Sequence, residues 1–409
     1  MRFIADFHLH SKYSRATSRE MDVDHIAQWA KWKGLNLVGT GDFTHHLWLS
    51  ELKEKLKPKG NGLFIYQDVH FILTSEVNNI FSQGGRSHRV HNVIFAPSIE
   101  VVERINRSLS GFGNLASDGR PIISLSCRDL LEELLSISQD CLLVPGHIWT
   151  PHFSLFGSNS GFDSIEECFG NLSREIYALE TGLSSDPAMN WRLSRHDKLT
   201  FISNSDAHSP SRLAREANIF EGELDYKEII NTLKEKDQKK LVSTIEFFPQ
   251  EGKYHFDGHR SCNLCLSPQE SKKHNNVCPQ CGGRLTIGVM HRLDDLADRE
   301  YGFEPEGSIP FYNLIPLEEI IAESLGKSRG TETVSREYHR IISHYGNEIR
   351  LLLDIPSEDL NKLPSQIKES ILRVREGKVE ICPGYDGVYG RIKIFAEGEK
   401  IGPEQMGLF

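Results

Sequence analysis

The sequence predicts an α/β fold over its first 250 residues, followed by a small metal-binding module and a mainly helical region. Three observations carry this. Seven short runs rich in Val, Ile, Leu and Phe alternate with polar or helical stretches as far as residue 220, and several are apolar throughout, as parallel strands buried on both faces are. Four of the eight cysteines form two C-x-x-C pairs in the second half of the chain. Beyond residue 330 apolar residues return at helical spacing.

The predicted strands are residues 3–8, 36–41, 71–77, 90–95, 141–147, 175–181 and 200–204. Between the first two, residues 22–32 place Ile26, Trp29 and Ala30 on one helical face. Residues 129–136 and 163–169 read the same way. Strand–helix repetition of this length suits an α/β barrel or a doubly wound sheet. Residues 224–240 read as a charged helix, and Pro249-Gln250-Glu251-Gly252 as a boundary. Further on, Ile341, Tyr345, Ile349 and Leu352 form a core-packing stripe over residues 335–354, and residues 365–376 read as a second helix. Residues 379–382 and 391–395 flank the loop P-G-Y-D-G-V-Y-G, which reads as a hairpin. The expected divisions are 1–250, 251–295, 296–400 and a tail, 401–409.

At 409 residues the chain has room for two to three domains and a sizeable core. No apolar run approaches the ~20 residues of a membrane span. An acid at Asp6 interrupts any leader-like start, so the expected location is the cytoplasm. The formal net charge of −10 excludes a protein coated in positive charge, but not a local basic groove on an acidic body. Residues 253–292 are that kind of stretch, with six Lys or Arg against two acids. In a cytosolic chain paired C-x-x-C motifs point to metal rather than disulfides. The scattered Cys127, Cys141, Cys168 and Cys382 read as buried thiols.

The histidines and acids sit where the strands end. His8 and His10 form H-x-H on the first, and alternate residues of a strand face the same way. Asp42 follows the second strand, Glu76 ends the third and His91 lies on the fourth. His147 ends the fifth; Asp206 and His208 end the seventh. Imidazole and carboxylate together suit zinc, manganese or iron. Eight such groups exceed the needs of one ion and suit two or three, with Glu76 as a bridge. Two ions roughly 3.5–4 Å apart can activate a water and stabilise both oxygens of a displacement at phosphorus. Asp206, Glu76 and His147 are the candidate catalytic residues.

Cys262, Cys265, Cys278 and Cys281 are two knuckles separated by twelve residues, the pattern of a tetrahedral four-cysteine zinc site that folds a module. Lys272, Lys273 and Arg284 beside it could meet phosphates. The glycine-rich loop lacks the G-K-[ST] ending of a phosphate-binding P-loop, but its Tyr385 and Tyr389 could stack on bases.

The order H-x-H, strand-end Asp, S-E, H-N, G-H and S-D-A-H resembles the PHP (polymerase and histidinol phosphatase) family. That resemblance implies a distorted (β/α)7 barrel with two or three divalent ions (Zn²⁺, Mn²⁺ or Mg²⁺). It makes His8, His10, Glu76, His91, His147, Asp206 and His208 ligands, with Asp42 at the second motif. Where the family often reads T-D-H, this chain has Gly41-Asp42-Phe43; His45 or His46 could substitute. The whole combination of barrel, C-x-x-C module and P-G-Y-D-G-V-Y-G is similar to the endonuclease Q family. This implies a DNA-repair endonuclease that cuts 5′ to a deaminated base (hypoxanthine, uracil or xanthine) or an abasic site, leaving a 3′-hydroxyl and a 5′-phosphate. The tail, with Gln405, Met406, Leu408 and Phe409, resembles the Q-[LM]-x-L-F peptide that holds a sliding clamp. Two other readings are a PHP-type small-molecule phosphatase, which needs neither the module nor the tail, and a non-catalytic DNA-binding adaptor at the clamp.

Overall fold

A computed structural model describes residues 1–396 and Glu399. The tail residues Gln405, Met406, Leu408 and Phe409 lie outside the described residues.

The first half is the distorted barrel. Its seven strands are β1 (Arg2–Asp6), β2 (Leu37–Gly39), β3 (Val69–Gln83), β4 (Arg86–Ala96), β5 (Leu142–Pro145), β6 (Ala178–Glu180) and β7 (Thr200–Ile202). β1, β2 and β3 run parallel, whereas β3 to β4 and β4 to β5 are antiparallel pairs. β6 and β7 pair with each other in parallel. Successive residues point to opposite faces of a strand. Phe3, Ala5 and Phe7 therefore fill the interior with Ile72, Phe95, Val144, Ala178 and Ile202, while Ile4, Val38, Phe71, Ile94, Leu143 and Leu179 face outward to the helices.

Side-chain amides close the seam where the backbone ladder stops. Asn204 accepts from the Phe7 N–H at 2.9 Å and donates to Glu180 at 2.8 Å. Asn218 donates to the Ser203 carbonyl at 2.7 Å and accepts from the Ser203 N–H at 3.0 Å. These amides satisfy buried backbone groups that would otherwise be orphaned at an irregular closure.

Strands invisible to the sequence reading extend the sheet, among them two that flank β1 on its other side. β8 (Ala217–Glu221) pairs antiparallel with β1, and β9 (Leu241–Glu246) with β8. The β3–β4 hairpin is also longer than expected, because its outer end is mainly polar, with Ser82-Gln83 and Arg86–Arg89, and turns at Gly84-Gly85. The zinc module follows: β10 (Asp257–His259) and β11 (Leu264–Leu266) form its small antiparallel ribbon. β12 (Phe311–Asn313) then returns to the barrel and lies parallel to β9. The C-terminal region expected from residue 296 thus gives a strand back to the first sheet.

The helical region packs on the barrel helix α1 (Val23–Lys33). Its helices are α2 (Leu317–Ser324), α3 (Glu332–Tyr345) and α4 (Ser365–Arg375). Val334, Tyr338, Ile341 and Ile342 of α3 form one buried face that joins the core containing Ile26 and Ala30. The contact holds a buried ion pair, Lys33 Nζ to Glu348 at 2.7 Å, with both side chains at most 5% exposed. Glu348 also accepts from the Tyr338 hydroxyl at 2.8 Å and the Leu317 N–H at 3.0 Å. Lys33→Met leaves Glu348 buried without its cation. Breaking such a pair from one side costs about 3–5 kcal/mol, so the urea midpoint should fall markedly, and Lys33→Met/Glu348→Gln should recover part of the loss. An unchanged midpoint for Lys33→Met would show that the pair contributes nothing to docking.

Candidate metal centre and zinc module

The carboxyl ends of the barrel strands converge on one pocket. A parallel bridge between Leu9 and Ala207, with the His10 N–H donating to the Ala207 carbonyl at 3.0 Å, ties the H-x-H segment to the S-D-A-H segment. Asp6 fixes that second segment from below by accepting from the N–H groups of Ser205 and Ala214, both at 3.1 Å. Asp42, His147 and Asp206 all adopt left-handed backbone conformations, with φ of 46°, 30° and 46°. Non-glycine residues rarely adopt this conformation, and it concentrates at functional sites. Gly182 must be glycine, since a Cβ there would collide with the Cβ of His147.

Glu76 stands at the centre, with its side chain wholly buried. One oxygen, Oε2, faces His8 Nε2 at 3.4 Å and His10 Nε2 at 3.2 Å. The other, Oε1, faces His91 Nδ1 at 2.7 Å and His147 Nε2 at 3.2 Å. Asp206 Oδ1 completes the first group, 3.0 Å from His10 Nε2 and 3.8 Å from His8 Nε2. The result is two donor sets, His8–His10–Glu76–Asp206 and Glu76–His91–His147, each with ligand atoms within 4.8 Å of one another.

The donors fit divalent ions. His8 Nε2, His10 Nε2 and Asp206 Oδ1 are buried without a hydrogen-bond partner, which a protein tolerates only where something else satisfies them. The opposite ring nitrogens are held: His8 Nδ1 lies 3.0 Å from both Glu180 oxygens, His10 Nδ1 3.0 Å from Asp42, and His147 Nδ1 3.1 Å from the Thr150 hydroxyl. Such outer partners fix the tautomer and aim the free nitrogen at a metal. Burial alone would lower the basicity of His8, but Glu180 and Glu76 raise it well above the ordinary imidazole value. Burial likewise opposes ionisation of Glu76, yet His91, Arg120 and His8 hold it well below the usual carboxylate range. Burial pushes His91 down to about 4. The centre is a set of carboxylates whose charge demands cations, and protons must leave the imidazoles when metals bind.

Six of the eight expected barrel ligands share these two sets. The other two lie beside them. Asp42 sits behind His10, its second oxygen taking the Ser11 N–H at 2.6 Å and the Ser11 and Ser14 hydroxyls at 2.7 and 2.9 Å. His208 packs against the His10 ring with centroids 4.5 Å apart, and its Nδ1 lies 2.9 Å from the Asp206 carbonyl. His45 stacks on Tyr13 and His46 on His45, away from both sets. Two residues of the site escaped the sequence reading. Glu180 ends β6 with the same sequence signal as Glu76, an acid closing an apolar run, although Glu76 itself lies inside the longer β3. Arg120 comes from a loop with no pattern, and its NH1 lies 3.1 Å from Glu76 Oε2.

A cavity of about 790 Å³ opens above the centre. His91, His147 and Asp206 form part of its floor. Arg120, Arg212, Arg215 and Arg329 line it, as do Glu251 and Tyr389. Tyr389 is 67% exposed, with Lys253 Nζ 4.7 Å from its ring centroid. Tyr385 instead packs inside the module, its hydroxyl donating to Asn263 at 2.8 Å. Lys272 is taken up by Asp294 and Asp295 at 2.9 and 2.8 Å, whereas Lys273 and Arg284 are exposed.

The zinc module departs from the expected four-cysteine set. Cys262, Cys278 and Cys281 converge with His259, whose Nδ1 lies 3.5 Å from Cys281 Sγ. Cys265 turns toward the Pro383 carbonyl, 3.9 Å away, and lies outside the group. Its position on β11 pairs it with Gly258, whereas His259 at the end of β10 is the residue that faces the second knuckle. Three thiolates and an imidazole make a closed tetrahedral zinc set, as four thiolates do. Of the scattered cysteines, Cys127, Cys141 and Cys168 are buried, but Cys382 is exposed on the C-terminal hairpin.

Residues 316–378 match the family described as MJ0043 C-terminal domain. A 251-residue stretch is 36% identical to protein MJ0043 of Methanocaldococcus jannaschii, covering 60% of this chain but only 31% of that protein. The lesion-specific endonuclease PfuEndoQ from Pyrococcus furiosus is similar over 98% of both chains, at 35% identity and a TM-score of 0.87. A structure of endonuclease Q with a 27-mer duplex bearing an abasic lesion at the active site matches at 35% identity and 0.86, covering 98% of this chain and 99% of that one. Among the described residues no helix is long and apolar enough to cross a membrane.

The donor geometry of the module is open to direct measurement. His259→Ala and Cys262→Ser should each lose the structural zinc, read as metal released to a colorimetric chelator, while Cys265→Ser should retain it. Retention by His259→Ala together with loss from Cys265→Ser would restore the four-cysteine site.

Proposed function

The chain belongs to the endonuclease Q family of metal-dependent phosphodiesterases, and from that premise we propose that it is a DNA-repair endonuclease. On this reading it nicks the strand 5′ to a deaminated base or an abasic site and leaves a 3′-hydroxyl and a 5′-phosphate. The observation that carries the reading is Glu76, buried and shared between two donor sets whose His91, His147 and Asp206 line an arginine-bearing cavity.

His8, His10, Glu76 and Asp206 would hold one divalent ion, and Glu76, His91 and His147 a second. Bound there, the ions supply an activated water and neutralise charge at phosphorus. The protein's own groups do the rest. Glu180, Asp42 and Thr150 keep the imidazoles aimed. Arg120, Arg212, Arg215 and Arg329 give the scissile and flanking phosphates a positive wall in an acidic protein. Tyr389 offers an exposed ring at the cavity rim for stacking against a base or filling the gap it leaves. Turning a nucleotide out of the stack costs a few kcal/mol, less when the base is damaged or absent. Lys273 and Arg284 could extend the backbone contact across the module. We infer a clamp contact for Gln405, Met406, Leu408 and Phe409 from their pattern alone.

End-labelled duplexes carrying one hypoxanthine, uracil, abasic site or normal base test this reading with Zn²⁺, Mn²⁺ or Mg²⁺. A nick immediately 5′ of the lesion is expected, absent from the normal duplex. Asp206→Asn and Glu76→Gln should each lower the rate by about 10³-fold, ~4 kcal/mol of transition-state stabilisation, while duplex binding persists. Cleavage without lesion dependence, or hydrolysis of only small phosphate esters, would refute it. Arg329→Ala should weaken binding of lesion and normal duplexes alike and flatten the salt dependence by about one counterion; an affinity change confined to the lesion duplex would place Arg329 at the base instead.

A further inference from the structure

The cavity above the candidate metal ligands is also lined by a carboxyl group that the reaction above does not use. Glu251 sits in the short 3₁₀ turn Pro249–Glu251, where the chain leaves the barrel for the zinc module. Its backbone is clamped: the N–H donates to the Phe248 carbonyl at 3.0 Å, and its carbonyl accepts from the Gly390 N–H at 3.1 Å. The side chain lines the same cavity as His91, His147 and Asp206, and among the described residues no ion pair or hydrogen bond engages its carboxyl.

The charged groups around it are already committed. Arg212, after β7, pairs with Glu319 of α2 at 2.8 Å, and Arg329, from the loop after α2, pairs with the same Glu319 oxygen. Arg215 donates to the Ser205 carbonyl at 2.8 Å and the Asp206 carbonyl at 3.3 Å. Glu319 therefore absorbs two of the three cations near Glu251 and adds a like charge of its own. Burial first, and Glu319 second, push Glu251 up to about 8, against the pull of Arg329, Arg212 and Arg215. A carboxylic acid that keeps its proton at neutral pH and faces a reaction cavity can serve as a proton donor.

We propose that Glu251 is the general acid that protonates the leaving 3′-oxygen when the phosphodiester is cut. The proposal rests on the nuclease reading of the site. A water oxygen bonds to phosphorus and releases its proton to solvent. The P–O3′ bond breaks, its electron pair goes to O3′, and O3′ takes the proton from Glu251. The glutamate then recovers a proton from solvent through the open cavity, leaving a 3′-hydroxyl and a 5′-phosphate.

A substrate whose leaving atom needs no proton separates this role from a structural one. Single-turnover nicking is compared for wild type, Glu251→Gln and Glu251→Asp on one lesion duplex with either the natural 3′-oxygen or a 3′-bridging sulfur at the scissile bond, in the same metal. Glu251→Gln should be about 10²-fold slower than wild type on the oxygen duplex and within a few-fold of it on the sulfur duplex. Glu251→Asp should keep part of the oxygen rate. An acid works while protonated, so the wild-type oxygen rate should fall as pH rises through about 8, and this limb should be missing in Glu251→Gln. Equal defects on both duplexes, or no defect on either, would overturn the assignment. If wild type fails to nick the oxygen duplex at all, the nuclease reading fails first and the acid role falls with it.

Discussion

The architecture of the site depends on one buried carboxylate. Glu76 lies in the middle of the longest strand, where no water can solvate it, and its two oxygens face different groups of imidazoles. A charge in that position is tolerable only if cations or hydrogen-bond donors surround it. The surroundings supply both: Arg120 from one side, and histidines that follow β1 and β5 or lie within β4. The irregularities of the barrel follow from this demand. β3 turns back into the antiparallel β4, which puts His91 across from Asn78 and beside Glu76. Among the described residues β6 and β7 pair only with each other, and Glu180 at the end of β6 and Asp206 in the segment after β7 reach the site from there.

That detachment leaves backbone groups to satisfy, and the chain uses the same residues for closure and function. Asn204 joins β1 to Glu180, and Glu180 orients His8. Asp6 holds the loop that presents Asp206. A change at the seam therefore reaches the ligands within one or two hydrogen bonds. The left-handed backbone at Asp42, His147 and Asp206 is another sign that local comfort has yielded to site geometry.

How much of this could be read from the sequence follows from what each residue does. The α/β class, the paired C-x-x-C module and the helical end were legible because buried strands, knuckles and amphipathic helices impose local patterns. The acids and histidines at strand ends were legible as a set because ligand chemistry restricts residue types. Assigning them to layers was not. Asp42 and His91 both read as ligands, yet only His91 belongs to a donor set, because depth behind a histidine leaves no trace in spacing. Glu180 carried the same signal as Glu76, an acid closing an apolar run, and was nevertheless passed over. Arg120 and Glu251 had no signal at all, since both come from loops whose position depends on the finished fold. His259 was hidden by a motif that looks complete without it: two C-x-x-C pairs supply four thiols, and only the pairing of β10 with β11 shows that Cys265 turns away.

The same logic explains why the second half of the chain is bound so tightly to the first. β12 returns to the barrel sheet, the Lys33–Glu348 pair ties α1 to the segment after α3, and the glycine-rich loop hydrogen-bonds to residues 250–256. These contacts do more than stabilise. They carry Arg329, Glu319, Tyr389 and Glu251 to the cavity above two candidate donor sets that come from the barrel. A PHP-type barrel alone offers ions at the floor of an open bowl. With the later segments in place, the bowl gains walls of defined charge: arginines, an aromatic ring at the rim, and one carboxyl group left without a cation because Glu319 occupies two of its neighbours. On the nuclease reading, that wall would favour a long, charged and distortable substrate. Removing the helical region would therefore change which phosphates can reach the ions before it changed the donor sets themselves.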